Sequence, residues 1–160
     1  MYLDFLKYQA TGNDFIIVDY RYNNSRHLST SKIKTLCDRN LGIGSDGFIE
    51  IYDSNNFDFK MIYYNSDGKK SSLCGNGTRC AVKYVGSILR KEKVSFEAFD
   101  GKHIGFLNKK NNISIEMSDV KDFEVFENYL FFETGSPHYV KIMDNIDKIN
   151  VYEQGSKIRN

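Results

Sequence analysis

The sequence predicts an α+β fold in which short strands outnumber helices. Of the 160 residues, 41% are hydrophobic and 14% aromatic, with 12 Phe and 11 Tyr but no Trp. Aromatic and β-branched side chains favour half-buried strands. Alternating apolar and polar positions predict strands at Leu3–Tyr8, Phe15–Tyr20, Phe48–Tyr52, Phe57–Tyr64, Val94–Phe99, His103–Leu107, Ile113–Met117, Tyr129–Glu133 and Tyr139–Met143.

Two segments have the pattern of helices. The first, Thr30–Asn40, follows a Ser/Thr start at Ser29 and stops before Gly42. The second, Asn76–Lys91, carries one apolar stripe made of Ala81, Tyr84, Val85, Ile88 and Leu89. Such a stripe indicates that this helix packs against the sheet.

Charge and hydropathy narrow the classes of function. The chain has 22 Lys and Arg against 21 Asp and Glu, so it carries no surplus of positive charge for a nucleic-acid backbone. No apolar run approaches the ~20 residues of a membrane span. The first residues include Asp4, Lys7 and Asp14 and lack the apolar stretch of a signal peptide. We therefore expect a cytoplasmic protein that binds neither nucleic acid nor membrane.

Several residue patterns argue against metal and dinucleotide sites. Three cysteines form no C-x-x-C pair and are expected to be free thiols: Cys37, Cys74 and Cys80. The three histidines are not spaced as metal ligands: His27, His103 and His138. The G-x-G-x-x-G spelling at residues 42–47 follows a predicted helix and precedes a strand, the reverse of the dinucleotide-binding order, so it predicts a helix stop and a tight turn.

The segment from Ser72 to Arg79 is the most informative about chemistry. Cys74 stands at the start of the second predicted helix, followed by Gly75 and Gly77. The unpaired N–H groups of a helix start can hold a carboxylate, and the positive helix end favours a thiolate. This combination suits removal of a proton next to a carboxylate. The residues alone support a plain helix cap at Cys74 equally well.

Five ordered blocks resemble the signatures of diaminopimelate epimerases: Thr11–Asp19, Gly42–Gly47, Asn65–Gly68, Cys74–Arg79 and Gly135–His138. The resemblance implies a mixed β-sheet wrapped around a central helix and an isomerase without cofactor or metal. In this family, two cysteines from two similar domains face opposite sides of the substrate's α-carbon. One thiol removes the proton and the other returns it, which interconverts LL- and meso-2,6-diaminoheptanedioate for lysine and cell-wall synthesis.

The resemblance also implies roles for single residues. Cys74 matches the catalytic cysteine of the first domain, and His138 matches a histidine that polarises the thiols. The implied substrate contacts are Asn13, Asn65, Gly75, Asn76 and Ser136. Ser136 stands where many relatives have Asn. Gly47 stands where some relatives have a substrate-binding Gln, so Gly47 is not assigned to the site.

The resemblance covers the first domain fully and the second only in part. Residues 1–120 match the N-terminal domain, and residues 121–160 match the beginning of an incomplete C-terminal domain. After His138 the sequence offers no second Cys-Gly helix start, so we expect an inactive fragment of the enzyme. The alternatives are a non-catalytic remnant or carboxylate-binding module of the same fold, and an isomerase of the phenazine-biosynthesis type, which Cys74 argues against. The expected partner is the small-molecule substrate, and the sequence leaves open whether the chain forms a homodimer.

Overall fold

A seven-stranded sheet and two helices make up residues 1–118, the first of two compact units. The computed structural model describes residues 3–22, 27–108, 110, 112–117, 119–134 and 136–159. The strands are β1 (Leu6–Ala10), β2 (Asn13–Asp19), β3 (Gly47–Tyr52), β4 (Phe59–Asn65), β5 (Lys93–Ala98), β6 (Gly101–Leu107) and β7 (Ile113–Ile115). Each strand pairs with the next along the chain. The β2–β3 and β4–β5 pairs are parallel and the others antiparallel, so the sheet is mixed.

The longer helix lies at the centre of this sheet. Helix α1 spans Thr30–Cys37 and helix α2 spans Gly75–Leu89. Helix α2 contacts all seven strands, which confirms the expected sheet wrapped around a central helix. Its buried stripe includes Cys80, Val82 and Val85. A curled sheet can bury one helix along its whole inner face, and this explains why so many strands need so few helices.

Both faces of the central strands are buried. Phe15 and Ile17 of β2 pack in the core under α2, whereas Ile16 and Val18 pack on the opposite face with Ile33 of α1. A strand covered on both sides is apolar throughout rather than alternating. This accounts for the continuous apolar run in β2 and holds its first residues in a fixed position.

The second unit, residues 119–160, contains a small antiparallel sheet of order β10–β9–β8. Its strands are β8 (Phe123–Val125), β9 (Leu130–Glu133) and β10 (Pro137–Val140), followed by α3 (Val151–Arg159). None of the residues described in this unit is buried. Across the described residues of both units, no helix is long and apolar enough to span a membrane.

Several predicted boundaries were wrong. The first helix ends at Cys37 rather than Asn40, because the Asp38 carboxylate accepts hydrogen bonds from the N–H groups of Asn40 and Leu41 and turns the chain. The last strand is Pro137–Val140, not Tyr139–Met143, because Pro137 pairs with Glu133 at the edge of the small sheet.

Two elements were not predicted. Strand β8 has only three residues, all of them exposed, and helix α3 has Gly155 in its interior and buries no residue. Without a buried face, neither segment shows the apolar periodicity on which a prediction from sequence depends.

Candidate active site

The predicted site residues of the first unit lie at one end of the sheet. Strands β2 and β3 are parallel and begin there, and β4 is antiparallel to β3 and ends there. Gly47 is therefore flanked by Phe15 on one side and Asn65 on the other. Asn13 is the first residue of β2, and Asn65 is the exposed last residue of β4.

A tight hairpin turn places Asn13. Thr11 and Gly12, between β1 and β2, have φ angles of 55° and 85°. Positive φ at both central residues is the geometry of a type I′ turn, which a glycine adopts without strain. The Gln9 side-chain oxygen accepts a hydrogen bond from the Gly12 N–H at 3.1 Å. The turn leads directly into Asn13, whose side chain is half-buried.

Cys74 occupies the N-cap position of α2, but its side chain makes no capping hydrogen bond. The Sγ atom lies 3.9 Å from the Asn13 Oδ1, to which the thiol can donate. The first turn of the helix closes when the Thr78 N–H donates to the Cys74 carbonyl at 2.8 Å. The N–H groups of residues 75–77 therefore precede the first intrahelical hydrogen bond and form the positive end of the helix.

The orientation of the Asn13 amide is set by Asp46. The Asn13 Nδ2 donates to the Asp46 Oδ2 at 2.9 Å, which directs the Asn13 Oδ1 toward Cys74. The same oxygen lies 3.5 Å from the Asn76 Nδ2. Asn76 is in turn oriented by Arg79, whose guanidinium donates to the Asn76 Oδ1 at 2.7 Å. Thiol and carboxamides thus form one hydrogen-bonded cluster.

An ionic clamp holds the loops beneath this cluster. The backbone N–H groups of Asp14 and Asp46 each donate to the other's carboxylate at 3.1 Å. Arg39 contacts both carboxylates at 2.8 Å, and Lys7 lies 2.7 Å from Asp14. The Arg39 guanidinium, assisted by Lys7, holds the pKa of the Asp14 carboxyl well below its usual range despite partial desolvation.

The two other thiols are buried. Cys37 and Cys80 are each 3% exposed, whereas Cys74 is only half-buried. Burial raises the pKa of Cys80 to about 11 and also raises the pKa of Cys37. Of the three cysteines, Cys74 is therefore the one placed to exchange protons with a ligand.

His138 and Ser136 belong to the second unit. His138 lies on the exposed strand β10, with its Nδ1 2.8 Å from the Ser136 carbonyl and 3.1 Å from the Thr134 hydroxyl. A carbonyl oxygen only accepts, so the His138 Nδ1 donates to the Ser136 carbonyl. Thus Asn13 contacts both Cys74 and Asn76 at the helix start, which also carries Gly75. Asn65 lies at the same end of the sheet, and the two remaining predicted residues are on another unit.

Asp46 and Arg79 were not predicted as site residues from the sequence. Asp46 and Arg79 fall inside motifs that were recognised, at Gly42–Gly47 and Cys74–Arg79, but their partners are set by the fold. Within the described part of the chain, no three His, Cys, Asp or Glu side chains are grouped as metal ligands would be.

The fold is shared with solved structures of low sequence identity. One is a phenazine biosynthesis protein of the PhzF family from Bacillus anthracis, with a TM-score of 0.59, 16% identity, and coverage of 87% of this chain and 55% of that one. Another is a hydroxyproline epimerase from Agrobacterium vitis, with a TM-score of 0.56, 9% identity, and coverage of 84% and 50%. The curled mixed sheet around one central helix places the chain in this fold class.

Sequence comparison defines the family. The family model described as diaminopimelate epimerase matches residues 5–121. A diaminopimelate epimerase from Flavobacterium psychrophilum is 45% identical over 154 residues, covering 96% of this chain and 60% of the relative. One from Chlorobaculum tepidum is 33% identical, covering 94% and 61%. The chain belongs to the diaminopimelate epimerase family, and it spans about 60% of the length of these relatives.

Proposed function

We propose that this chain is the thiol-bearing part of an isomerase that interconverts LL- and meso-2,6-diaminoheptanedioate without a cofactor. The observation that carries the proposal is the half-buried Cys74 at the N-terminal end of α2, beside the Asn13 amide. The name of the curated relatives, diaminopimelate epimerase, supplies the substrate, and we propose that the reaction serves lysine biosynthesis.

The geometry suits proton transfer at a carbon next to a carboxylate. As the Cα–H bond breaks, its proton goes to the Cys74 Sγ and its electron pair spreads into the adjacent carboxylate. The N–H groups of Gly75, Asn76 and Gly77 stabilise the charge that develops on those oxygens. The newly formed thiol can then donate to the Asn13 Oδ1, 3.9 Å away. In the reverse direction the same thiol returns the proton.

Inversion at the α-carbon needs a second proton carrier on the opposite face. Cys37 and Cys80 are buried, and Cys80 is on the same helix as Cys74, so neither can serve. In our proposal the second thiol comes from a second, similar domain of the enzyme. Residues 1–120 are the N-terminal epimerase domain and 121–160 begin the C-terminal one. His138 polarises the thiols, and Asn65 and Ser136 bind polar groups of the substrate.

The chemistry of the site also bears on where the enzyme works. A proton-carrying thiol must remain reduced, and the cysteines are free rather than paired. Reducing conditions are those of the cytoplasm, where we place the enzyme. A homodimer is the assembly we propose to test, by light scattering of the purified enzyme.

The test is an activity measurement on a chimera. In this chimera, the chain replaces the matching part of the Flavobacterium psychrophilum relative, so that the rest of that relative supplies the second domain. Chiral chromatography should show meso product from the LL substrate, and Cys74→Ser should abolish it, because a hydroxyl is a far weaker proton acceptor than a thiolate. Cys80→Ala is the matched control and should retain activity. An active Cys74→Ser chimera would overturn the proposal.

A further inference from the structure

The Asn13 carboxamide is held at both ends by groups of opposite hydrogen-bonding character. Its nitrogen, Nδ2, donates to the Asp46 Oδ2 at 2.9 Å, and a carboxylate can only accept. Its oxygen, Oδ1, lies 3.5 Å from the Asn76 Nδ2, which can only donate. The Asn13 amide therefore cannot turn over without placing donor against donor at Asn76 and oxygen against oxygen at Asp46.

Arg79 fixes the second carboxamide in the same sense. Its guanidinium donates to the Asn76 Oδ1 at 2.7 Å, so the Asn76 nitrogen is the end that points toward Asn13. Donors thus run in one direction, from Arg79 through Asn76 and Asn13 to Asp46. Hydrogen bonds aligned in this way polarise and strengthen one another. The chain begins at a cation and ends at an anion, which is the arrangement that stabilises this direction.

The Asn13 oxygen faces the Cys74 thiol, with Oδ1 3.9 Å from Sγ, and both residues are half-buried rather than buried. An amide oxygen has two lone pairs, so accepting from Asn76 leaves it able to accept from a ligand. A positively charged amino group is a donor of this kind, whereas a reversed amide would direct N–H groups at it. The orientation of Asn13 thus favours ligands that carry an amino group.

We propose that Asp46 is a positioning residue that makes the site selective for amino acids, by holding the Asn13 oxygen toward an amino group of the substrate. Asp46 acts through the Asn13 amide and not by contact with the substrate. The inference rests on the proposed function, in which the substrate carries two amino groups and two carboxylates. It adds the residue that distinguishes this substrate from a dicarboxylate of the same length without amino groups.

The experiment compares the binding of two ligands to the Cys74→Ser chimera, in which no turnover disturbs the measurement. One ligand is the LL substrate, and the other is heptanedioate, which has the same chain length and both carboxylates but no amino group. Isothermal titration calorimetry gives the two dissociation constants, and their ratio measures the preference for the amino groups. Asp46→Ala should lower this preference about tenfold, the value of one hydrogen bond to a charged group.

Asp46→Asn is the matched control. Its amide oxygen can take the place of Oδ2, which accepts from both the Asn13 side chain and the Asp14 N–H, so that only the contact with Arg39 is lost. Both substitutions remove the charge of Asp46, and they differ in whether an acceptor for Asn13 remains. The preference for the amino groups should therefore be retained in Asp46→Asn.

Alkylation of the buried Cys37 and Cys80 reports whether a variant is folded. If Asp46→Ala is not, Asp46→Ser replaces it, since a hydroxyl is one atom shorter than the carboxylate. An unchanged preference in the folded variant, or an equal loss in Asp46→Asn, would overturn the role of Asp46. So would a Cys74→Ser chimera that binds heptanedioate as tightly as the LL substrate. A lowered preference in Asp46→Ala, together with no meso product from the chimera that retains Cys74, would count against the proposed function alone.

Discussion

At the scale of single residues, the three cysteines differ in what surrounds their sulfur atoms. Cys74 faces the Asn13 oxygen at the positive end of α2. Cys80 is buried further along the same helix, and Cys37 is buried at the end of α1, where the Ser45 hydroxyl contacts its sulfur at 3.3 Å. Chemistry that needs a thiolate and access to a ligand is therefore confined to Cys74 among them.

We predict that Cys74 is alkylated much faster than the other two cysteines at neutral pH. The buried thiols are shielded from the reagent, and burial raises the pKa of Cys80 to about 11 and also raises that of Cys37. Iodoacetamide labelling followed by peptide mass spectrometry measures the three rates separately. Equal rates in the folded chain would contradict the assignment of Cys74 as the reactive thiol.

Much of the site could be predicted from the sequence, because Asn13, Cys74 and Asn76 lie within motif blocks. Asp46 could not be assigned a role in this way, since it orients the Asn13 amide across 33 positions of sequence. A residue that acts by orienting a side chain distant in sequence leaves no pattern in the sequence around it.

At the scale of elements, the Asp14–Arg39–Asp46 clamp should make stability depend on pH. Arg39 and Lys7 keep Asp14 ionised in the folded chain, whereas an unfolded Asp takes up a proton near pH ~3.9. The contribution of Asp14 is therefore fully present above about pH 4 and is lost as the pH falls through its lowered folded-state pKa.

Asp14→Asn should accordingly lower the free energy of unfolding at neutral pH, by about 1 kcal/mol for a partly exposed ion pair. The difference from the unmodified chain should shrink below about pH 4, where the native Asp14 loses its advantage. Urea denaturation at several pH values measures this. Asp53→Asn, on the exposed loop after β3, is the control. A difference that stays constant down to acid pH would contradict the clamp.

The packing of α2 against β6 gives a second prediction for the elements. A Cβ on Gly105 would lie 2.5 and 2.6 Å from the two γ-carbons of the buried Val82. Gly105→Ala should lower the free energy of unfolding by about 1–3 kcal/mol, because a stiff branched side chain cannot move aside.

Gly75→Ala, at the start of α2, is the matched control for Gly105→Ala in β6. Its Cβ would meet only the Arg79 guanidinium at 3.8 Å, so stability should change by less than ~0.5 kcal/mol. Urea denaturation of both variants measures the two changes in the free energy of unfolding. Equal effects of the two substitutions would show that α2 is not packed closely against β6.

The elements of the first unit could be predicted because each buries a face. Helix α2 and strands β3 and β5 lie within one or two residues of their predicted bounds. The second unit was predicted less well, since β8 and α3 bury nothing and Pro137 places β10 earlier than the apolar residues suggested. Apolar periodicity in a sequence reflects the burial of one face of an element, so it does not predict an element that has no buried face.

At the scale of the whole molecule, the two units differ in how they are stabilised. The first has cores on both faces of its sheet, whereas the second has no buried residue among those described. Val125, Ile142 and Tyr152 are exposed by 71%, 85% and 89%. Many exposed apolar side chains favour association of the second unit with other protein surfaces.

We predict that the 160-residue chain alone does not convert the LL substrate to the meso form. Inversion requires an acid and a base on opposite faces of the α-carbon, and of its three cysteines only Cys74 is placed for either role. Chiral chromatography of 2,6-diaminoheptanedioate incubated with the purified chain measures this. Turnover near the rate of an intact relative would contradict the prediction, and slow α-hydrogen exchange without inversion would indicate one working base.

The central claim, that Cys74 transfers a proton at the α-carbon, is tested most directly by isotope incorporation. The chimera is incubated with the LL substrate in heavy water, and the product is analysed by mass spectrometry. We expect meso product with one deuterium at the inverted carbon, since the thiol that donates is not the thiol that removed the proton. We also expect no incorporation with Cys74→Ser. Deuterium incorporation by the Cys74→Ser chimera at an undiminished rate would contradict the account.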